Sequence, residues 1–262
     1  MRTRIYHVDA FADRPFGGNP AAVMPLPAFP DDAILLAIAA ENCLPATAFL
    51  VPEGGEYRVR WFTALAELSL CGHATLASAA VIMERLEPAR TEVFFYSAGG
   101  CLEVRREDGR YVMNMPAQTC TPVPASAGLA ATLGTTPREL LVNDRHYLAV
   151  LEDETVVRRL APDMEALRRL DRDGVIVTAR GDGRHDFVSR YFVPAKGIPE
   201  DAVTGSAHCT LVPYWAGRTG RSSFLAYQAS ARGGELSCAL VGNRVELGGA
   251  CLFYLEGTAD WG

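Results

Sequence analysis

A single lysine, Lys196, stands among the 25 basic residues of this 262-residue chain, and the arginines are scattered without forming a basic run. With a formal net charge of −6, the chain carries no electrostatic footprint for nucleic acid or an anionic membrane surface. No apolar run reaches the roughly 18 residues that a membrane span requires. The stretch Met1 to Asp9 alternates like a first strand and lacks the apolar region of a secretory signal. The seven cysteines are odd in number and include no Cys-x-x-Cys pair. That argues against a disulfide framework or a zinc ribbon and for a reduced, cytoplasmic setting. His208 and Cys209 are adjacent but have no further ligands at metal-like spacing, so no metal is expected.

What is present is an ordinary globular composition, 49% apolar and 21% charged, with length enough for one large domain or two of common size. Two stretches read alike. The first runs Arg60, Trp61, Phe62, then Glu67, Cys71, Gly72, His73, Ala74; the second runs Arg190, Tyr191, Phe192, then Glu200, Thr204, Gly205, Ser206, Ala207. Each order suggests a strand, a glycine turn and a helix whose first free N–H groups form an anion site. Duplication of one α+β unit follows, with a first half over residues 1–118 and a second over 119–262, the last strand free to cross back. Each half is expected to be a curved mixed sheet against a helix.

Element by element, strands are expected near residues 4–8, 48–51, 57–62, 92–96, 101–106, 111–115, 147–151, 174–178 and 187–193, and four more close the chain from Phe224 onward. A helix starting at Pro30-Asp31-Asp32 and running through about Asn42 would carry Ile34, Leu35, Ile38 and Ala39 on one face, and others cover 73–84 and 163–170. Pro116 to Pro124 reads as a linker, and Pro213 should shorten or kink the helix around it.

Several residues carry candidate chemistry. His73 follows a glycine at a helix start, where the dipole favours neutral imidazole and a proton shuttle; a capping role is the plainer alternative. Asp201 is either a general acid/base, an orienter of His73 or an ordinary helix-start acid. Cys71 and Thr204 hold equivalent places, so a two-thiol racemase is disfavoured, though one thiol and one hydroxyl could support racemisation or dehydration. Asn19 and Gly233 lie in glycine turns that could present N–H groups to an anion or could simply be turns.

At these residues the sequence resembles the PhzF family of phenazine-biosynthesis-like isomerases, which share the diaminopimelate epimerase-like fold. The segments are Val8 to Phe11, Gly18 to Val23, Arg60 to Thr63, Cys71 to Leu76, Glu200 to His208 and Arg232 to Leu236, in order over nearly the whole chain. The resemblance implies a cofactor-free enzyme, usually a homodimer, that moves protons on a small carboxylate-bearing metabolite held in a cleft between the halves. In the phenazine enzyme this isomerises a dihydro-hydroxyanthranilate. By position, the family's histidine, aspartate and serine fall on His73, Asp201 and Ser206, and Asn19, Cys71, Gly72, Thr204, Gly205 and Gly233 line the substrate. Its catalytic glutamate falls on Ala46, in Leu44-Pro45-Ala46-Thr47-Ala48-Phe49. Glu41, five residues earlier on the preceding helix, does not restore the pattern directly. A non-catalytic binding protein that keeps the cleft stands beside the isomerase reading.

Overall fold

The structure, a computed structural model, describes residues 1–124 and 126–262. Two compact units divide it: Met1–Met115 together with Gly248–Gly262, and Pro116–Leu247. The division thus falls three residues before the expected one, and the closing strand counts with the first unit.

The first unit holds β1 (Arg2–Ala10), β2 (Asn19–Pro25), α1 (Asp32–Asn42), β3 (Ala46–Glu53), β4 (Glu56–Phe62), β5 (Glu67–Leu68), α2 (Gly72–Val81), β6 (Glu92–Ser97), β7 (Gly100–Glu107) and β8 (Arg110–Pro116). The second holds β9 (Thr121–Val123), α3 (Ala127–Leu133), β10 (Glu139–Val142), β11 (His146–Val150), α4 (Glu154–Arg159), α5 (Met164–Arg168), β12 (Gly174–Arg180), β13 (Phe187–Phe192), β14 (Glu200–Asp201), α6 (Gly205–Thr219), β15 (Ser223–Gln228) and β16 (Gly234–Val241). After β17 (Arg244–Gly249), β18 (Cys251–Asp260) pairs antiparallel along the whole of β1, from Arg2 opposite Asp260 to Ala10 opposite Cys251.

The strand pairings repeat. Antiparallel β1–β2, parallel β2–β3, antiparallel β3–β4 and β4–β5 and parallel β4–β6 in the first unit match β10–β11, β11–β12, β12–β13, β13–β14 and β13–β15 in the second. The registers also agree: Phe62 faces Glu67 as Phe192 faces Glu200. Each parallel step crosses over through helix, as such pairs require.

In the first unit α1 packs Leu35, Ile38 and Ala39 against Met24, Phe49 and Phe62. Ile34 is 38% exposed and does not join that face, because it lies one residue off the i, i+3, i+4 row. The other helix, α2, is buried from His73 through Val81, with β1, β2, β3, β7 and β18 all in contact with it. Its run of alanine and serine suits such enclosure, since small side chains admit close backbones and alanine is the best helix former. Beyond Val81 the chain widens into a π turn, Ile82–Leu86, where the Glu87 N–H reaches back to the Ile82 carbonyl at 2.7 Å. The expected continuation of the α-helix to Glu84 fails there.

In the second unit α3, α4 and α5 cover one face of the sheet, where Leu133, Val157 and Leu167 meet Val175, Val177 and Phe192. On the opposite face the Trp215 indole of α6 donates to Thr178 Oγ1 at 3.1 Å. Pro213 neither shortens nor ends α6, which at 15 residues is the longest helix among the described residues. Proline removes the N–H that would reach the Cys209 carbonyl; here the Gln118 N–H donates to that carbonyl instead, at 2.9 Å. Part of the expected linker is strand, since β9 pairs with β10.

Two histidines are folded into this unit uncharged. His208, on α6, is fully buried with Nδ1–H donating to the Thr204 carbonyl at 2.8 Å, and burial pushes its pKa down to about 4. His146 shares a 2.8 Å hydrogen bond with the Tyr191 hydroxyl; burial, reinforced by the Arg145 charge, lowers it likewise to about 4. Because both folded-state values lie below the unfolded value near 6.5, the unfolded chain takes up protons first as pH falls. Stability is therefore complete above pH 6.5 and drops toward pH 4, by about 2 kcal/mol per histidine at pH 5. Urea midpoints at pH 7, 6 and 5 measure this, and His208→Gln should remove about half of the slope.

Candidate active site

Each unit presents its helix start with the same device. In the first, the Arg60 guanidinium donates twice to Glu67, Nε to Oε1 at 2.7 Å and a terminal nitrogen to Oε2 at 2.6 Å. In the second, Arg190 makes the same fork with Glu200 at 2.8 and 2.9 Å. The arginines also lie over the phenylalanine two residues on, 5.1 Å above Phe62 and 4.6 Å above Phe192. Each fork ties the end of a strand to the short strand before the glycine turn. Cys71 and Thr204 then cap their helices with nearly the same extended backbone, φ −143° ψ 100° and φ −122° ψ 104°. Even the first turns agree. Thr75 and His208, four residues on, both donate side-chain hydrogen bonds to the capping residue's carbonyl, at 2.7 and 2.8 Å.

Around the first helix start, Cys71, Asn19 and His73 come together. Asn19 Nδ2 lies 3.3 Å from His73 Nδ1, and Cys71 Sγ lies 3.6 Å from the same nitrogen. All three are buried. Asn19 opens β2 just after Gly18, which adopts φ +67° in a turn so tight that a Cβ would stand 2.3 Å from the Ala10 carbonyl oxygen. The expected turn is real, and it delivers Asn19 into a strand rather than onto a loop. Ala46, the first residue of β3, pairs with Ala21 and is wholly buried. Since alternate residues share a face, Asn19, Ala21 and Ala46 all point to the side of the sheet that carries α2, while Thr47 bonds Asn42 of α1 on the other. Glu41 is exposed on α1 and so belongs to the wrong face.

Around the second helix start, Thr204 Oγ1 donates to Asp201 Oδ2 at 2.6 Å, which fixes the carboxylate, and Ser206 follows Gly205 half-buried in the first turn. Sequence reasoning missed Gln228. This fully buried carboxamide accepts from the Thr204 N–H at 2.8 Å and donates to the Asp201 carbonyl at 2.8 Å and to Thr204 Oγ1 at 3.2 Å. A polar residue at a strand end is a common pattern, so no local signal marks it. In the other unit Ser97 holds its register position, bonded only within a short turn. The longer loop after Gln228 carries Ser230, which donates to the Ala202 carbonyl at 2.7 Å and accepts from Gly233 N–H at 3.1 Å. Gly233 adopts φ +68°, the left-handed region that favours glycine, and a Cβ there would press on the tip of the Tyr227 ring.

The family model described as phenazine biosynthesis-like protein (PhzC-PhzF) matches residues 8–257. The chain belongs to the PhzF family. An uncharacterized isomerase of Pseudomonas aeruginosa is 48% identical over 257 residues, covering 98% of this chain and 98% of that protein. The crystal structure of a PhzF family protein from Enterococcus faecalis matches with a TM-score of 0.96 at 43% identity, covering 99% of this chain and all of that one. A hydroxyproline epimerase from Agrobacterium vitis shares the fold alone, at a TM-score of 0.64 and 11% identity over 98% of this chain and 92% of its own. The α+β fold of this PhzF member is thus the epimerase-like one. Among the described residues no helix is long and apolar enough to cross a membrane, and no three His, Cys, Asp or Glu residues gather as a metal site.

Gln228 gives the sharpest structural test of this PhzF site. Gln228→Leu keeps the volume but removes the acceptor of the buried Thr204 N–H and one donor to the Asp201 carbonyl. It should cost about 2–4 kcal/mol in urea unfolding, whereas Ser97→Ala, at the matching register position, should cost much less.

Proposed function

We propose that this chain is a PhzF-type isomerase scaffold whose reaction is cofactor-free proton transfer at carbon of a small carboxylate-bearing metabolite, with Ala46 in the place of the proton-carrying glutamate. The observation that carries this reading is the placement of Ala46 on the α2 side of its sheet, in the row of Asn19 and Ala21, where Asn19 meets His73. A longer side chain from position 46 extends toward that cluster. In this reading the substrate carboxylate rests on the N–H groups that open α2 at Gly72–His73 or α6 at Gly205–Ser206. In the first unit His73 serves a polar substituent, and in the second Thr204 keeps the Asp201 carboxylate in one orientation. An alanine methyl carries no proton, so the chain as it stands binds without efficient turnover.

A second reading rests on the 3.6 Å contact between Cys71 Sγ and His73 Nδ1: a thiol–imidazole pair that does racemase or dehydratase chemistry.

Ala46→Glu separates these. It should raise isomerisation, followed as exchange of carbon-bound hydrogen with D2O across a panel of small carboxylates, by about 10²–10⁴-fold. Ala46→Gln should not, because it fills the same space with no transferable proton. Since position 46 is fully buried, the glutamate variant should also lose about 1–3 kcal/mol of stability. Equal rates for the parent chain and its Ala46→Glu variant on a substrate that both bind would overturn the proposal; abolition of that shared rate by Cys71→Ala would establish the second reading.

A further inference from the structure

At the far end of α6, roughly 20 Å along its axis from Gly205, the second unit holds a surface pocket of about 540 Å³ lined only by its own residues. Its apolar wall is aromatic. Trp215 and Phe187 stack with ring centroids 5.7 Å apart and planes 10° from parallel, and Phe224 meets Phe187 edge-on at 5.8 Å. Three guanidinium groups, Arg180, Arg218 and Arg221, and the single carboxylate of Asp186 complete the charged lining.

The cations are not equivalent. Arg221 is committed: it donates to Asp186 Oδ1 at 2.5 Å and to the Ser223 carbonyl at 3.1 Å, and its guanidinium lies 5.4 Å from the centre of the Phe224 ring. Arg218 pairs with Glu139 and leans on Tyr214. Arg180, the last residue of β12, is exposed and makes neither a side-chain hydrogen bond nor an ion pair among the described residues. The turn beside it is kept narrow by Gly181, where a Cβ would stand 2.0 Å from the His185 carbonyl oxygen, so no side chain at 181 can fill the mouth.

We propose that this pocket is a second ligand site, separate from the helix-start clusters, for a small anion with a flat aromatic body and a carboxylate or phosphate head. The ring would sit against the small parts of Trp215 and Phe224 that stay exposed, 8% and 5% of those residues. The head would take the fork of donors that Arg180 offers, with Arg218 adding charge at the rim. The volume suits a metabolite of that size. Nothing in this site depends on the chemistry at Ala46, Cys71 or Asp201.

Isothermal titration of the full chain with 1-naphthoate, 1-naphthyl phosphate and the uncharged 1-naphthamide tests it. Expected are binding of one or both anions, weakening as salt is raised, an affinity for the amide at least about tenfold lower, and a loss of about tenfold or more for the anions in Arg180→Gln. Because Arg180 has no partner to lose, that variant should unfold at the parent's urea midpoint. Which head group binds better assigns the ligand as a carboxylate or a phosphate. The proposal is overturned if neither anion binds at millimolar concentration, if the amide binds as well as the anions, or if Arg180→Gln changes their affinity by less than about threefold.

Discussion

The arginine–glutamate fork that closes each strand-to-helix corner is the constraint on which the rest of the site depends. A helix start is useful to an anion only if its N–H groups are held still, and here the chain must leave a strand, turn at a glycine and enter a helix within a dozen residues. Bidentate pairing fixes both ends of that path in one plane. Its contribution to stability is modest, since the Arg60 and Glu67 side chains keep 22% and 38% of their exposure and such pairs are screened by solvent. Its contribution to position is larger. With the guanidinium also resting on Phe62 or Phe192, the corner is set by charge, hydrogen bonding and an aromatic face at once.

On that shared frame the two units have diverged in chemistry. One corner carries a thiol beside an imidazole and an amide; the other carries a hydroxyl on a carboxylate, fastened from behind by Gln228. The divergence tracks loop length. Ser97 and Gly100 close a minimal hairpin, whereas Gln228 and Gly234 are the ends of a longer loop that supplies Ser230 and Gly233. Even Ala46 has a counterpart: the β3–β4 and β12–β13 registers match it to Gly174, where a Cβ would meet the Phe192 carbonyl oxygen at 2.3 Å. At Gly174 the neighbouring backbone leaves no room for a side chain, whereas Ala46 carries one at the matching position.

The parts legible in the sequence were those written locally. The Arg-aromatic-Phe strands, the glycine turns and the alternating runs from Phe224 onward all declare themselves within ten residues, and so the α+β repeat is visible without coordinates. What escaped was written elsewhere in the chain. Pro213 looks like a helix breaker until the N–H of Gln118, far away in sequence, fills the vacated acceptor. The short α4 reads poorly because Val156 and Val157 favour strand, and the Asp153 cap, accepting from Val156 N–H, outweighs them. β2 hid behind the glycine turn that precedes it. Gln228 drew no notice because its importance lies in three hydrogen bonds to two residues, Thr204 and Asp201, 24 and 27 positions distant and not implied by its neighbours.

The antiparallel pairing of β1 with β18 has a consequence for the chain as it is made. Residues 116–247 form a unit continuous in sequence, ready to fold once they emerge. The unit begun first is the one finished last, because Arg2 through Ala10 must wait for Cys251 through Asp260. At ordinary rates of synthesis that interval is on the order of tens of seconds. Throughout it the inner edge of the nascent sheet stands open to any strand that passes, so the final ten-residue strand is both the closing seam and the protection of the edge it covers.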